Sequence, residues 1–455
     1  MPDSEMIFQL GTNNWQRGGE FAPGSGILHE AHHHAYNAMP GVASYSMYPS
    51  SVQRSNPIDE ERGIKVFELE HDIPICESVS PVSSYRWHSM SDEEFALYRA
   101  RLTTAVAGWM EKIEAQTGRA FTLAVAHHAF LNPVVMRDVL RSREALGKPP
   151  VTLLCFAHGT ALKMFANERA GLEDFPTRFS TFVEDEGVFS FGDPRGHVDA
   201  CAAISLQQVE AVREAFPAFP SERILLSPNG YNDEIFTEST DADYGRAAVL
   251  AELTTLDRRP IPATAEKVVV FCGKFADWKR IDALLQAAAI YEQDDTGIVT
   301  IIVGSGPDED KAELMRLAYD ELGLRRTFFV GPKAQTDLAR VFAASDVGCF
   351  PSRDEPFGLV FIECMACGTP VIGVNSGGPR DFVTAEVGAL VPESTDRSAL
   401  ALSLAATIRE AISDDWKATK GGAAARMVRG RFSIANQTAN LLTEIAQLPR
   451  GAQER

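Results

Sequence analysis

The feature that most constrains this chain is a series of short apolar stretches, each followed by a helical pattern, arranged in two blocks. In the second block Val268–Cys272, Val299–Gly304, Thr327–Val330, Val347–Phe350 and Val371–Val374 read as strands. Helical patterns starting near Ile281, Asp308, Thr336 and after Phe350 separate them. Strands this continuously apolar are buried on both faces, as in a parallel sheet, and the helices supply the crossovers. The first block repeats the scheme with strands at Met6–Leu10, Val42–Tyr48, Ile64–Leu69, Phe121–Ala126, Val151–Ala157, Ala200–Ser205 and Ile224–Leu226. Residues 237–266 have no strong strand pattern, and Arg259-Pro260-Ile261-Pro262 reads as a linker. At 455 residues the chain exceeds one ordinary core. The expectation is an α/β protein with two doubly wound parallel sheets. One domain covers residues 1–236, a second covers 237–430, and a helical segment over 431–455 packs back on the first.

Charge and cysteine usage narrow the class. A net charge of −19 argues against nucleic acid or an anionic membrane as partner, so an anionic ligand needs a local positive pocket. The seven cysteines, at 76, 155, 201, 272, 349, 364 and 367, lie mostly in apolar runs, as reduced buried thiols do. Cys364 and Cys367 form a C-x-x-C inside a helical pattern with no second pair, which reads as structural. No basic segment leads into an apolar core at the start, and no run of ~18 apolar residues occurs. A cytoplasmic location is expected.

In the first block, the strand Met6–Leu10 leads through a long glycine-containing loop into a helix from about Ile27 to Met39. Gly24-Ser25-Gly26 adjoins that helix and is the phosphate candidate, since a helix N-terminus offers free N–H groups. Gly18-Gly19 is read as shaping an acceptor-side lid. His32, His33 and His34 are consecutive, point in three directions and read as structural. His127-His128 and His158 each end an apolar strand, where open α/β sheets bind ligands. Residues 168–197, rich in charges and aromatics, are expected to form an insertion or lid.

In the second block, Gly273-Lys274-Phe275-Ala276-Asp277-Trp278-Lys279-Arg280 places three cations at a strand-to-helix turn, a credible diphosphate clamp. Gly304-Ser305-Gly306 and Gly377-Gly378 end other strands and allow close backbone approach to a ligand, or simply tight turns. Gly331 ends Phe328-Phe329-Val330, a wall for a flat base. In Asp354-Glu355-Pro356-Phe357-Gly358-Leu359-Val360-Phe361-Ile362-Glu363, Pro356 is placed in the first turn of a helix. That puts Glu355 at its mouth and Glu363 about two turns inside, ~12 Å along the axis. A glycosidase carboxylate pair needs roughly 5–9.5 Å.

Taken together, these residues resemble the retaining GT-B glycosyltransferases of family four. The resemblance rests on Gly273-Lys274 with Lys279, Val303-Gly304-Ser305-Gly306-Pro307, Phe329-Val330-Gly331, Glu355-Pro356-Phe357-Gly358, Glu363 through Val371, and Gly377-Gly378. It runs with high specificity from Val268 to about Val383 and more loosely over residues 6–236, where Ser227-Pro228-Asn229-Gly230 matches. It implies a GT-B fold, two Rossmann-like domains facing across a cleft. It also implies a nucleotide-diphosphate sugar as donor co-substrate, no further cofactor and no metal; the acidic charge and the lack of an exposed basic-apolar helix make a small polar acceptor the expectation. Glu355 would bind the donor sugar, helped by backbone N–H groups near Phe357, Gly358 and Leu359. Glu363 would bind the ribose, Lys274 and Lys279 would hold the diphosphate, and His128, or His127 by register, would face the sugar. The chain departs from the family in having Lys274 for Arg, which loses the bidentate fork, Arg280 for Gly, which implies a differently shaped turn, and a longer first loop, which shifts the phosphate glycines by several positions. A nucleotide-sugar epimerase, a sugar phosphorylase and a non-catalytic nucleotide-sugar-binding module are the rival readings.

Overall fold

The structure, a computed structural model, describes residues 5–15, 24–71, 73, 87–170, 178–238, 245–294 and 297–448. The chain divides into two compact units, Met1–Asn229 with Ile434–Arg455, and Gly230–Ser433.

Unit 1 is built on seven parallel strands: β1 (Glu5–Leu10), β2 (Val42–Ser50), β3 (Ile64–Glu68), β4 (Leu123–His127), β5 (Thr152–Ala157), β6 (Ala200–Ala203) and β7 (Ile224–Leu226). Their order is β3-β2-β1-β4-β5-β6-β7, so the sheet grows one way from β1 and the other way from β4. Every residue of β4 is buried, as an inner parallel strand requires. The long helix Asp92–Thr117 covers one face. Ser91 and Glu94 close a capping box at its start, and Gly118 ends it in the left-handed conformation at φ 67°. Its apolar stripe buries Phe95, Tyr98, Leu102, Val106, Trp109, Met110 and Ile113, each contributing about 1.5–3 kcal/mol if of Leu or Phe size. The helix Ile434–Gln447 belongs to this unit and packs on the helix Gly24–Asn37. Residues 178–197 are a helix, Arg178–Glu186, followed by turns. Val183, Val188 and Phe189 enter the core, and the Phe189 ring stacks on Phe216 at 3.9 Å. This segment is therefore core rather than lid; residues 171–177 lie outside the described residues.

Unit 2 has six parallel strands: β8 (Lys267–Lys274), β9 (Ile298–Ser305), β10 (Thr327–Val330), β11 (Val347–Phe350), β12 (Val371–Val374) and β13 (Gly388–Val391), in the order β10-β9-β8-β11-β12-β13. The order reverses between β8 and β11. β13 extends the series of strands read from the sequence. It is only four residues long, and Gly388 lets the Val371 carbonyl come within 2.1 Å of where a Cβ would sit. The stretch read as linker contains a helix, Arg246–Glu252, and Thr255 bridges to Val330 at the sheet edge. In open α/β sheets, ligands bind beyond the carboxyl ends of the strands where the order reverses. Each unit has one such point: β1 and β4 end in Leu10 and His127, β8 and β11 in Lys274 and Phe350.

Candidate functional site

The switch point of unit 2 gathers the charged residues. After β8 the chain makes a short 3-10 turn, Asp277–Lys279, before the helix Ile281–Asp294. Lys279 is buried, and its Nζ lies 2.6 Å from Glu355 Oε2, with both side chains 11% exposed. Lys279 also sits 4.1 Å from the centre of the Trp278 ring. Lys274, at the end of β8, is half-buried and in register with Ser305 of β9.

The Glu355 segment is not helical. The helix runs Leu359–Ala366 and its N-cap is Gly358 at φ 103°. Pro356 therefore precedes the helix, Glu355 lies outside it, and only Glu363 projects from it; the placement of both glutamates along one axis is corrected. The cause is local: Asp354 (φ 50°) and Gly358 both take left-handed conformations, which no continuous helix accommodates. The double glycine after β12 shapes this segment. A Cβ on Gly377 would lie 2.3 Å from the Glu355 carbonyl oxygen, and one on Gly378 would lie 2.6 Å from Phe357 Cα. Gly378 N donates to that same Glu355 carbonyl at 2.7 Å. Ser376 Oγ accepts from Asp354 N at 2.9 Å and donates to Asp354 Oδ1 at 3.0 Å. The close approach these glycines permit is thus to the Glu355 loop.

Glu363 contrasts with Glu355. Burial pushes its carboxyl up to about 7, and among the described residues no ion pair or side-chain hydrogen bond reaches it. Its neighbour Cys272 is pushed up to about 12, by burial first and then by Glu363. The Phe357 ring packs on Phe382 and Phe432 at 5.4 and 5.7 Å; Phe357 and Gly358 are buried and Leu359 is half-buried. Among the described residues no side chain caps the Leu359 helix; Phe361 N donates to the Gly358 carbonyl at 3.0 Å, so the N–H groups of Leu359 and Val360 are the ones without an intrahelical acceptor. Gly304, at φ 153°, has the Gly273 carbonyl 1.9 Å from its missing Cβ, so its smallness serves the β8–β9 approach. Gly331 is half-exposed, while Phe328, Phe329 and Val330 are buried, so what that strand end offers is backbone.

Arg280 sits at φ 51°, ψ 41°, a left-handed conformation that glycine adopts readily. The guanidinium is buried and pairs with Glu393.

The switch point of unit 1 is made of histidines. His127 is the last residue of β4, and its ring is engaged internally: Nδ1 meets His158 Nε2 at 2.8 Å and Nε2 meets Gln9 Oε1 at 3.4 Å. His128 follows at φ 68°, with a buried ring whose two nitrogens have no hydrogen-bond partner among the described residues. Burial pushes that ring down to about 3. Of the two alternatives, His128 is the one not consumed by internal bonds. Sequence reasoning read His32 and His33 as structural and did not single out His29. His29, His32 and His33 are all buried on the helix Gly24–Asn37, with His29 4.6 Å from His127 ring to ring. The signal was their i, i+3, i+4 spacing, which defines one helix face. Only His34 of the triplet is exposed. Among the described residues no group of three or more His, Cys, Asp or Glu side chains is arranged to hold a metal ion.

Gly24, Ser25 and Gly26 form the first turn of their helix. Ser25 Oγ accepts from Asn13 Nδ2 at 2.6 Å, and the Asn14 carbonyl lies 2.0 Å from where a Gly26 Cβ would be. Gly18 and Gly19 lie outside the described residues. Cys272 is half-buried, and Cys155, Cys201, Cys349, Cys364 and Cys367 are buried free thiols; Cys76 lies outside the described residues. Among the described residues no helix is long and apolar enough to cross a membrane.

Residues 254–427 match the family described as glycosyl transferases group 1. A D-inositol 3-phosphate glycosyltransferase of Saccharomonospora viridis is 40% identical over 141 residues, 29% of this chain and 32% of that protein. One from Stackebrandtia nassauensis is 28% identical over 273 residues, 57% of each. The chain thus aligns with about a third to somewhat over half the length of these curated relatives. A crystal structure of Anabaena Alr3699/HepE with UDP and glucose superimposes with a TM-score of 0.65 at 18% identity, covering 98% of this chain and 100% of that one. Two Rossmann-like units with these strand orders have the GT-B fold. Over residues 254–427 the chain is similar to the glycosyl transferases group 1.

Proposed function

We propose that the chain is a retaining, metal-independent glycosyltransferase that moves a sugar from a nucleotide-diphosphate sugar to a small polar acceptor. The observation that carries this is the buried Lys279–Glu355 pair at the β8/β11 switch point, with the unpaired Glu363 on the helix that follows. Lys279, with Lys274, neutralises the diphosphate, and the open N-terminus of the Leu359 helix adds backbone donors. Glu355 accepts hydrogen bonds from the donor sugar's hydroxyls, and Glu363 from the ribose. Gly304 and Gly331 give backbone access to the nucleotide, Gly24-Ser25-Gly26 serves as a second phosphate contact, and His128 faces the sugar.

A nucleotide diphosphate leaves readily once its charge is held, so catalysis is mainly positioning and electrostatics. The bond from the anomeric carbon to the phosphate oxygen breaks as the acceptor attacks the same face. The departing phosphate oxygen takes the acceptor's proton. No covalent carboxylate intermediate and no cofactor beyond the nucleotide sugar are needed. A location in the cytoplasm suits such donors.

The neighbour crystallised with UDP makes UDP the first nucleotide to try, followed by GDP, ADP and dTDP in thermal-shift measurements. With the donor so identified, NMR of the product is expected to show the donor's anomeric configuration, and EDTA is expected to leave the rate unchanged. An inverted product, or a rate lost to EDTA and restored by a divalent cation, would overturn the mechanism.

A further inference from the structure

Unit 1 contains a small enclosed cavity of about 10 Å³ beside His128, room for about one oxygen atom. Trp87, Tyr98, Leu102 and Phe130 form its apolar walls. Two of the side chains lining it carry unpaired polar atoms. Trp87 Nε1 and both ring nitrogens of His128 lack any partner among the described residues, and these residues are only 3% and 2% exposed. An unsatisfied buried polar atom costs about 1–3 kcal/mol, so two such side chains on one cavity mark a place built for a ligand. The cavity also reaches Leu131 and Asn132, the first turn of the 15-residue helix Leu131–Ala145, which has no side-chain cap. The first N–H groups of a helix have no intrahelical acceptor.

We infer that this cavity seats an uncharged hydroxyl of a polyhydroxylated acceptor; this rests on the transferase reading above. A hydroxyl both donates and accepts. It can accept from Trp87 Nε1 or the helix N–H groups and donate to the unprotonated nitrogen of His128. No Lys or Arg lines the cavity, so a phosphate or carboxylate there would be buried against Leu102 and Phe130 with only the partial charge of a helix end beside it. His128 does not supply the missing charge, because burial keeps its ring neutral.

The five tryptophans provide the test. Their indole N–H signals are recorded in nitrogen–proton NMR spectra of the full chain, and Trp87→Phe assigns the relevant one. Titration with myo-inositol, glycerol and D-glucose is expected to shift the Trp87 signal saturably with at least one of them, and inorganic phosphate is expected to leave it in place. Trp109, whose buried indole is also unpaired but lies outside the cavity, is the internal control. Trp87→Phe keeps the ring packing and His128→Asn suits the left-handed backbone; each is expected to weaken polyol binding about tenfold in calorimetry, the loss of roughly one hydrogen bond. A Trp87 signal unmoved by all three polyols, or moved by phosphate, overturns the inference. Trp278, against Lys279, reports on nucleotide separately. A Trp278 shift with UDP beside a silent Trp87 sinks this inference and leaves the transferase reading standing. A Trp278 silent to all four nucleotides removes the transferase reading, while a Trp87 shift would still establish a polyol site.

Discussion

At the switch point of unit 2, Lys279 and Glu355 form a buried ion pair, and the carboxyl of Glu363 is poised near neutrality. At the switch point of unit 1, the corresponding groups are His127, His128 and His158, all pushed down by burial. Both sheets run outward in both directions from a central strand pair, so topology does not explain the difference. It lies in what each strand end is followed by. β8 leads into a turn with three cations, and β11 leads into a loop that a double glycine holds against the sheet. β4 leads into a left-handed histidine, and the helix facing it presents more histidines. One switch point is equipped to balance charge, and the other holds neutral rings.

The largest effect should come from breaking the charged side. Glu355→Gln is expected to lower kcat/KM by about a thousandfold or more, the scale of losing a preorganised transition-state contact. It also leaves Lys279 buried without its partner, which costs about 3 kcal/mol in chemical denaturation. The double variant Lys279→Met/Glu355→Leu separates the two effects. Stability is expected to recover, since an apolar pair replaces the ion pair, while activity stays lost. Recovery of transfer in the double variant would mean that the pair serves only the fold.

The ion pair also shows what the sequence made legible. The strand limits Thr327–Val330, Val347–Phe350 and Val371–Val374 coincide with β10, β11 and β12, because buried parallel strands are bounded apolar runs. β13 escaped because a four-residue Gly-Ala-Leu-Val run has no contrast with its surroundings. Lys279 and Glu355 could be singled out by type and spacing, but their contact spans 76 residues and depends on how two strand ends meet. Pro356 was misplaced because a first-turn proline and a proline before a glycine-capped helix look alike until the φ of Gly358 is known. The buried histidines escaped because a helix face made of His29, His32 and His33 reads as polar in any hydropathy pattern.

Glu363 provides an intermediate effect and tests whether charge at this site is tuned. Folded Glu363 holds its proton up to about 7, and the unfolded side chain only to about 4.3. Its contribution to stability is therefore complete below about pH 4.3 and is lost as pH rises through about 7. Relative to the native chain, Glu363→Gln is expected to be more stable at pH 8 and no different at pH 4. The residue is half-buried, so water limits the gain to about 2 kcal/mol or less. If the ionised carboxylate accepts the ribose hydroxyls, nucleotide affinity rises about tenfold from pH 6 to pH 8, since about nine-tenths of it is protonated at the lower pH. Calorimetric titration across that range would show the rise in the native chain and a flat profile in the Gln variant. A flat native profile would place the ribose elsewhere.

The smallest effect should come from the third cation of the same turn. Arg280 lies beside Lys279, yet its guanidinium is paired with Glu393 and its backbone occupies a glycine-like conformation. The left-handed backbone costs a non-glycine residue about 1 kcal/mol. A partly exposed pair such as that with Glu393 contributes up to about 1 kcal/mol, so the two terms nearly cancel. Arg280→Gly is therefore expected to leave the unfolding midpoint nearly unchanged and kcat/KM within about twofold, whereas Lys279→Met removes most activity. Adjacent cations in one turn would then have separate duties, one toward the donor and one toward the fold. A loss in Arg280→Gly comparable to that in Lys279→Met would show that the Glu393 pair opens when donor binds, and that all three cations act together on the diphosphate.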